Sequence, residues 1–230
     1  MNKGTEQIWN AQPNWKTKPF TYRYSQPSEY RYSLDSIEFM WKLGKILRAN
    51  DQLKDLRVLD LCSGCGVLGF ELNYWIPEKI NSIDFVEIQP EYEKHFKLNL
   101  EITNNQSKNF NFHRVNFNEL PAQNSFKQAF DIIVCNPPYF RSQTAILSSS
   151  DFRKRCHFLI DGNFSELCAS LFYSLAPTGE AYVLLKDLTA QGVDQLQELK
   201  HFAGAEFAVD VLGRIRGIPV VRITKNKSSS

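Results

Sequence analysis

The sequence lacks a long apolar run. Nothing in its 230 residues approaches the roughly 18–20 that cross a bilayer, so no membrane partner is expected. The opening MNKGTEQIWNAQPNW lacks the apolar core of a secretory signal. Cysteines number five, an odd count, and Cys62-x-x-Cys65 has no second C-x-x-C to complete a zinc site. With no secretion signal, this points to a reduced, cytoplasmic protein with no metal, and a monomer is expected. A large charge excess is also missing. The net charge of +2 neither demands nor excludes nucleic acid. No internal repeat is visible. A hydrophobic share of 43% and a charged share of 23% are those of an ordinary globular domain, long enough for a real core.

Residues 1–19 are polar and aperiodic, with Pro13 and Pro19, and predict a flexible arm. Residues 20–33 alternate aromatic and polar side chains around Gln26-Pro27-Ser28, a hairpin signal. From Leu34 to about Asn50, the spacing of Ile37, Met40, Trp41, Gly44 and Leu47 suits one helical face, with Asp35 and Ser36 as cap types near its start. Residues 20–50 are thus a hairpin and helix packed on the core. From there strands alternate with helices: RVLDL, NSIDFVEI, NFNFHRV, AFDIIVC and EAYVLLK are the strands. A polar helix is expected over DLTAQGVDQLQELKHF, then an antiparallel pair, AEFAVDVLG and IPVVRIT. This order predicts one α/β domain over residues 51–226: a Rossmann-like, doubly wound, seven-stranded and mostly parallel sheet ending in that pair. Residues 227–230 are a disordered tail. Ligands of such sheets bind beyond the carboxyl ends of the strands, which gathers the loops at 61–66, 87–90, 116–120 and 135–142 into one crevice.

Gly64-Cys65-Gly66-Val67-Leu68-Gly69 follows a strand and opens a helix, and Glu87 ends the next strand. A dinucleotide site is one reading of that pattern. Asp60 argues against it, because a carboxylate just before the loop repels a pyrophosphate and favours a cationic ligand free of phosphate. Cys62 and Cys65 can be read as a redox pair or half a metal site; small residues in a tight ligand loop is the simpler account.

The stretch VCNPPYF, residues 134–140, stops the fourth strand on Asn136-Pro137-Pro138-Tyr139. Prolines fix the chain and donate no hydrogen bond. The Asn136 side chain and the Pro137 carbonyl then form an arch of acceptors beside the Tyr139 ring. Such an arch suits an –NH2 on a planar group, either an adenine amine or a glutamine amide, and works by positioning and electrostatics. A carbonyl in place of the amine leaves the acceptors unpaired. Phe140 is a second stacking candidate, and Arg141, Arg153, Lys154 and Arg155 are candidates for phosphate contacts or plain solvated charge.

Val58 through Gly66 resembles the first motif of class I S-adenosylmethionine-dependent methyltransferases. The resemblance implies that Asp60, Cys62, Gly64 and Gly66 line the cofactor loop, that Glu87 accepts the ribose hydroxyls, and that Ile88 packs on the adenine. It places Asn116, an amide where the family often has an acid, at the adenine amine, and Asn136 beside the cofactor. Asn-Pro-Pro-Tyr is similar to the motif of enzymes methylating adenine N6 in DNA, rRNA or tRNA, or a glutamine in release factors. The release-factor enzymes carry a larger helical N-terminal domain than the segment before Arg57. Phe20-Thr21-Tyr22, Gln26 and Tyr32-Ser33-Leu34-Asp35-Ser36, with Arg153, Arg155-Cys156-His157 and Leu167-Cys168-Ala169, resemble the bacterial tRNA1(Val) adenine-N6 methyltransferase family. Ser33 stands where that family commonly has glycine. The expectation is an RNA adenine-N6 methyltransferase, with tRNA as its partner; a non-catalytic nucleic-acid-binding module with a relic cofactor site is the alternative of another class.

Overall fold

The computed structural model describes residues 7–9, 11, 21–29, 32–105, 108–138, 152, 156, 161–186, 188–189 and 193–227. Seven strands form one sheet: β1 (Leu56–Leu61), β2 (Ile80–Val86), β3 (Asn109–His113), β4 (Phe130–Cys135), β5 (Leu175–Leu184), β6 (Phe207–Ile215) and β7 (Ile218–Lys225). Their order is β3-β2-β1-β4-β5-β7-β6. The first five strands are parallel, and β7 runs antiparallel to both β5 and β6. The class and the terminal antiparallel pair match the expectation. Among the described residues, the longer helices that accompany the sheet are α1 (Leu34–Arg48), α2 (Val67–Trp75), α3 (Glu91–Ile102), α4 (Phe164–Ser174) and α5 (Gln195–Ala203).

Alternate residues of the central strands build two cores. Val58, Ile132, Val134 and Tyr182 face Phe39, Met40 and Leu43 of α1 and Phe70 and Leu72 of α2. Leu59, Leu61, Ile133 and Val183 face Leu167 and Leu171 of α4 and Leu199 of α5. Strands covered on both faces read as apolar runs, which is why RVLDL and AFDIIVC stand out in the sequence. The register then sets the site. Leu61 pairs with both Val86 and Cys135, so Cys62, Glu87 and Asn136 emerge abreast at the carboxyl edge.

Three local expectations differ. Residues 21–29 and 32–33 contain no strand. Their side chains bind the helices instead, as a strap over α2 and α3: Tyr24 Oη and Thr21 Oγ1 each donate to Glu71 at 2.8 Å, and Ser25 N donates to Asn99 Oδ1 at 2.7 Å. Residues 7–9, read as part of a flexible arm, are helical; Trp9 is buried and its carbonyl accepts from Lys42 Nζ at 2.8 Å. The polar helix begins only at Gln195, where the Asp194 side chain accepts from Gln197 N, while Leu188 bridges Val193. In addition, β5 starts directly after α4, and Pro177-Thr178-Gly179 lies within it. The pairing jumps from Phe130↔Leu175 to Ile132↔Glu180, and a Cβ at Gly179 would meet the Phe130 carbonyl at 2.7 Å.

Candidate functional site

A cleft opens at the carboxyl ends of β1, β2, β3 and β4. It is lined by Cys62–Cys65, Val86–Gln89, Val115–Phe117, Asn136 and Pro138, with strap residues Gln26, Tyr32 and Ser33 and the first turn of α1 closing one side. The described parts of the four loops expected to converge do so, the fourth represented by Asn136 and Pro138.

The glycine loop is built on left-handed backbone. Cys62 has φ +59°, Gly64 +54° and Gly66 +86°. Gly66 must also be small: a Cβ there would meet the Phe70 ring at 2.7 Å. Ser63 N donates to the Val86 carbonyl, and Gly66 N to the Ser63 carbonyl, which fastens the loop across to β2. Glu87 completes the tie. Its Oε2 accepts from Gly64 N and its Oε1 from Gln89 N, both at 2.9 Å. Burial pushes the Glu87 carboxyl up to about 7, against the opposing pull of the backbone N–H groups of Gln89, Gly64 and Ile88. Each carboxylate oxygen still has a second lone pair. Ile88 beside it is exposed.

Asp60 lies elsewhere than expected. Its side chain points to the α2 face of the sheet, is fully buried, and does not line the cleft. Asp60 Oδ2 accepts from Gly69 N at 2.8 Å, so it caps the first turn of α2, which carries the loop. Burial holds its carboxyl well above the usual range.

Asn116 is also committed differently. Its Oδ1 accepts from Asn118 N and its Nδ2 donates to the Asp161 carbonyl, while Glu119 closes a capping box. It holds the wall between Phe117 and Gly162, and its acceptor caps a turn, which weighs against a bond to an adenine amine. Cys65 is buried, and burial pushes its thiol up to about 12, the behaviour of a packing residue.

Asn136 and Pro138 line the cleft and Pro137 is buried beside them. Asn136 Nδ2 donates to Ser36 Oγ at 3.1 Å. Tyr139, Phe140, Arg141, Arg153, Lys154 and Arg155 lie outside the described residues. Several lining groups carry no sequence signal of their own. Ser36 reads as a cap type, yet Ser33 holds the cap position and Ser36 turns into the cleft. Tyr92 and Gln89 are not singled out in the sequence, yet Tyr92 Oη lies 3.3 Å and Gln89 Nε2 3.5 Å from Cys156 Sγ on the cleft wall.

These residues fit a cationic nucleoside cofactor such as S-adenosylmethionine. Ser63 Oγ and Gln89 Oε1, both on cleft-lining residues, are buried with no hydrogen-bond partner among the described residues. Such orphaned acceptors suit a bound donor. The Glu87 carboxylate at the loop, when ionised, disfavours a pyrophosphate.

Residues 52–200 match the family described as "Methyltransferase domain". Among curated proteins, none matches the sequence. Three solved structures are similar in fold. TrmN from Thermus thermophilus is 20% identical with a TM-score of 0.52, over 80% of this chain and 48% of that one. PH1948 from Pyrococcus horikoshii, named as a candidate RNA methyltransferase, is 15% identical with a TM-score of 0.54, over 90% and 94%. YhhF from Escherichia coli, named as a candidate methyltransferase, is 16% identical with a TM-score of 0.58, over 88% and 91%. This chain spans about half the length of TrmN and nearly all of the other two.

Proposed function

Because the chain belongs to the methyltransferase-domain family and is an S-adenosylmethionine-dependent enzyme, we propose that it methylates the N6 amine of adenine in RNA, with tRNA as the favoured substrate. The observation that carries this reading is Asn136. It stands at the end of β4, abreast of Glu87, in a cleft shared with Pro138 and the glycine loop.

The bound cofactor supplies an electrophilic methyl on a sulfonium. In this reading Glu87 accepts the ribose hydroxyls on its remaining lone pairs, Ile88 covers the adenine of the cofactor, and Cys62, Gly64 and Gly66 shape the loop around the amino-acid end. Asp60 acts from beneath by fixing the first turn of α2 through the Gly69 amide. Asn136 Oδ1 and the Pro137 carbonyl accept the two N–H groups of the target amine and aim its nitrogen at the methyl. Catalysis is positioning and charge stabilisation, with the proton leaving to water after transfer. Tyr139 or Phe140 stacks on the target base, which offsets the few kcal/mol of unstacking a loop nucleotide. Arg141, Arg153 and Arg155 hold flanking phosphates. The name of PH1948 lends the RNA part some support.

The test is product analysis. Incubation with radiolabelled S-adenosylmethionine and, separately, total tRNA, rRNA, DNA and release factor is followed by digestion of each. N6-methyladenosine in RNA alone is the expected result; label only in the release factor overturns the adenine reading.

A further inference from the structure

We propose that Ser36 is a positioning residue for methyl transfer: its hydroxyl decides which end of the Asn136 amide faces the cleft. This rests on the reading of Asn136 as an acceptor for the target amine.

The two residues lie 100 positions apart in the chain, yet Asn136 Nδ2 donates to Ser36 Oγ at 3.1 Å. Ser36 is buried, sits in the first turn of α1, and lines the same cleft as Asn136. A side-chain amide has a donor end and an acceptor end on opposite sides of one rotatable bond. With Nδ2 committed to Ser36, Oδ1 is the end turned the other way. Rotated by a half turn, the amide presents an –NH2 to an –NH2, and donor faces donor.

The anchor is itself held. Asp35 Oδ1 lies 3.3 Å from Arg216 Nε, in the turn between β6 and β7. Phe39, Met40 and Leu43 of α1 are fully buried. Gly44 lets Trp75 approach so closely that a Cβ at Gly44 would meet Trp75 Cβ at 2.4 Å. A hydroxyl on a helix packed this way moves little, and the amide inherits its position. The helix precedes the matched family segment, residues 52–200, so the N-terminal part of the chain completes the site as well as covering it.

The test is a double-mutant cycle on the full chain, measured on whichever acceptor the wild type labels. Ser36→Ala is expected to lower kcat by roughly tenfold, the size of one hydrogen bond, while the cofactor Kd and the melting temperature hold. Ser36→Thr, which keeps the hydroxyl, restores most of kcat. In an Asn136→Ala background Ser36→Ala adds nothing, because the group it positions is gone. An unchanged kcat in Ser36→Ala, or a loss that adds in full to that of Asn136→Ala, overturns the proposal. A second readout needs no turnover. In protein labelled with 15N-asparagine, the Asn136 side-chain signal, identified by its loss in Asn136→Ala, is expected to exchange faster in Ser36→Ala; unchanged exchange overturns the proposal. Labelling of the release factor alone by the wild type sinks the adenine reading but leaves the cycle measurable on that acceptor.

Discussion

The Gly64 amide donates to Glu87 Oε2 at 2.9 Å, so the glycine loop after β1 and the acid after β2 are one hydrogen-bonded unit. The conformation of the loop and the protonation of Glu87 are therefore linked. Protonation removes an acceptor at the point where the cleft has most need of one.

That linkage sets a pH dependence. Burial lifts the Glu87 carboxyl to about 7. Cofactor affinity should be flat above this value and weaken below it, approaching tenfold per pH unit if only the carboxylate binds. Calorimetric titration across pH 5.5 to 8.5 checks this, and Glu87→Gln should flatten the profile. The stability of the free protein runs the other way. A carboxyl raised from 4.5 to about 7 binds more protons folded than unfolded between those values. Its full contribution is present below the unfolded pKa and is lost as pH rises through about 7, on the order of 3 kcal/mol for a fully buried group.

The two loop glycines should differ sharply. Gly64 has φ +54°, but a Cβ there meets only the Tyr92 ring at 3.5 Å, an ordinary contact. Gly64→Ala should cost about 1 kcal/mol, the price of left-handed backbone. Gly66 has φ +86° and would drive a Cβ to 2.7 Å from Phe70, a side chain locked in the core. Gly66→Ala should cost roughly 2–5 kcal/mol and abolish cofactor binding. Urea midpoints of the two variants give the comparison.

The sheet was legible in the sequence because buried parallel strands announce themselves as apolar runs, and the glycine loop because only certain residues tolerate its backbone. The strap was not. Tyr22, Tyr24 and Tyr32 alternate as a strand would, but Glu71 and Asn99, on helices far along the chain, take their segment's hydrogen bonds. Asp60 was legible as a site residue but not in its role, since its direction depends on the strand parity that aims it at the amide of Gly69. Ser36 was legible only as a helix-start residue, because its contact with Asn136 exists only once α1 is packed.

The strap offers a third test. Glu71 is fully buried and takes both the Thr21 and Tyr24 hydroxyls, with its carboxyl pushed up to about 7 by burial. Glu71→Ala leaves two hydroxyls unpaired and should cost roughly 2–4 kcal/mol. Tyr24→Phe and Thr21→Val should each cost about 1 kcal/mol. Since Gln26, Tyr32 and Ser33 of the strap line the cleft, Glu71→Ala should also weaken the cofactor Kd. A Kd unchanged in a destabilised Glu71→Ala protein would separate the strap from the site.

The buried pair Glu38–Lys42 makes the last prediction. The two groups lie 2.9 Å apart with side chains only 3% and 1% exposed. Lys42 Nζ also holds the Trp9 carbonyl. Removing one partner leaves an unpaired charge in the core, so Glu38→Ala or Lys42→Ala should each cost about 3–5 kcal/mol. Replacing both with apolar residues of similar volume, Glu38→Leu with Lys42→Met, removes both charges and their desolvation penalty. That double variant should be more stable than either single one, falling short of the wild type by about 1 kcal/mol for the Trp9 carbonyl that loses its donor. Denaturant unfolding of the three variants decides it. If the double variant loses the sum of the two singles, the pair is held by something other than mutual neutralisation.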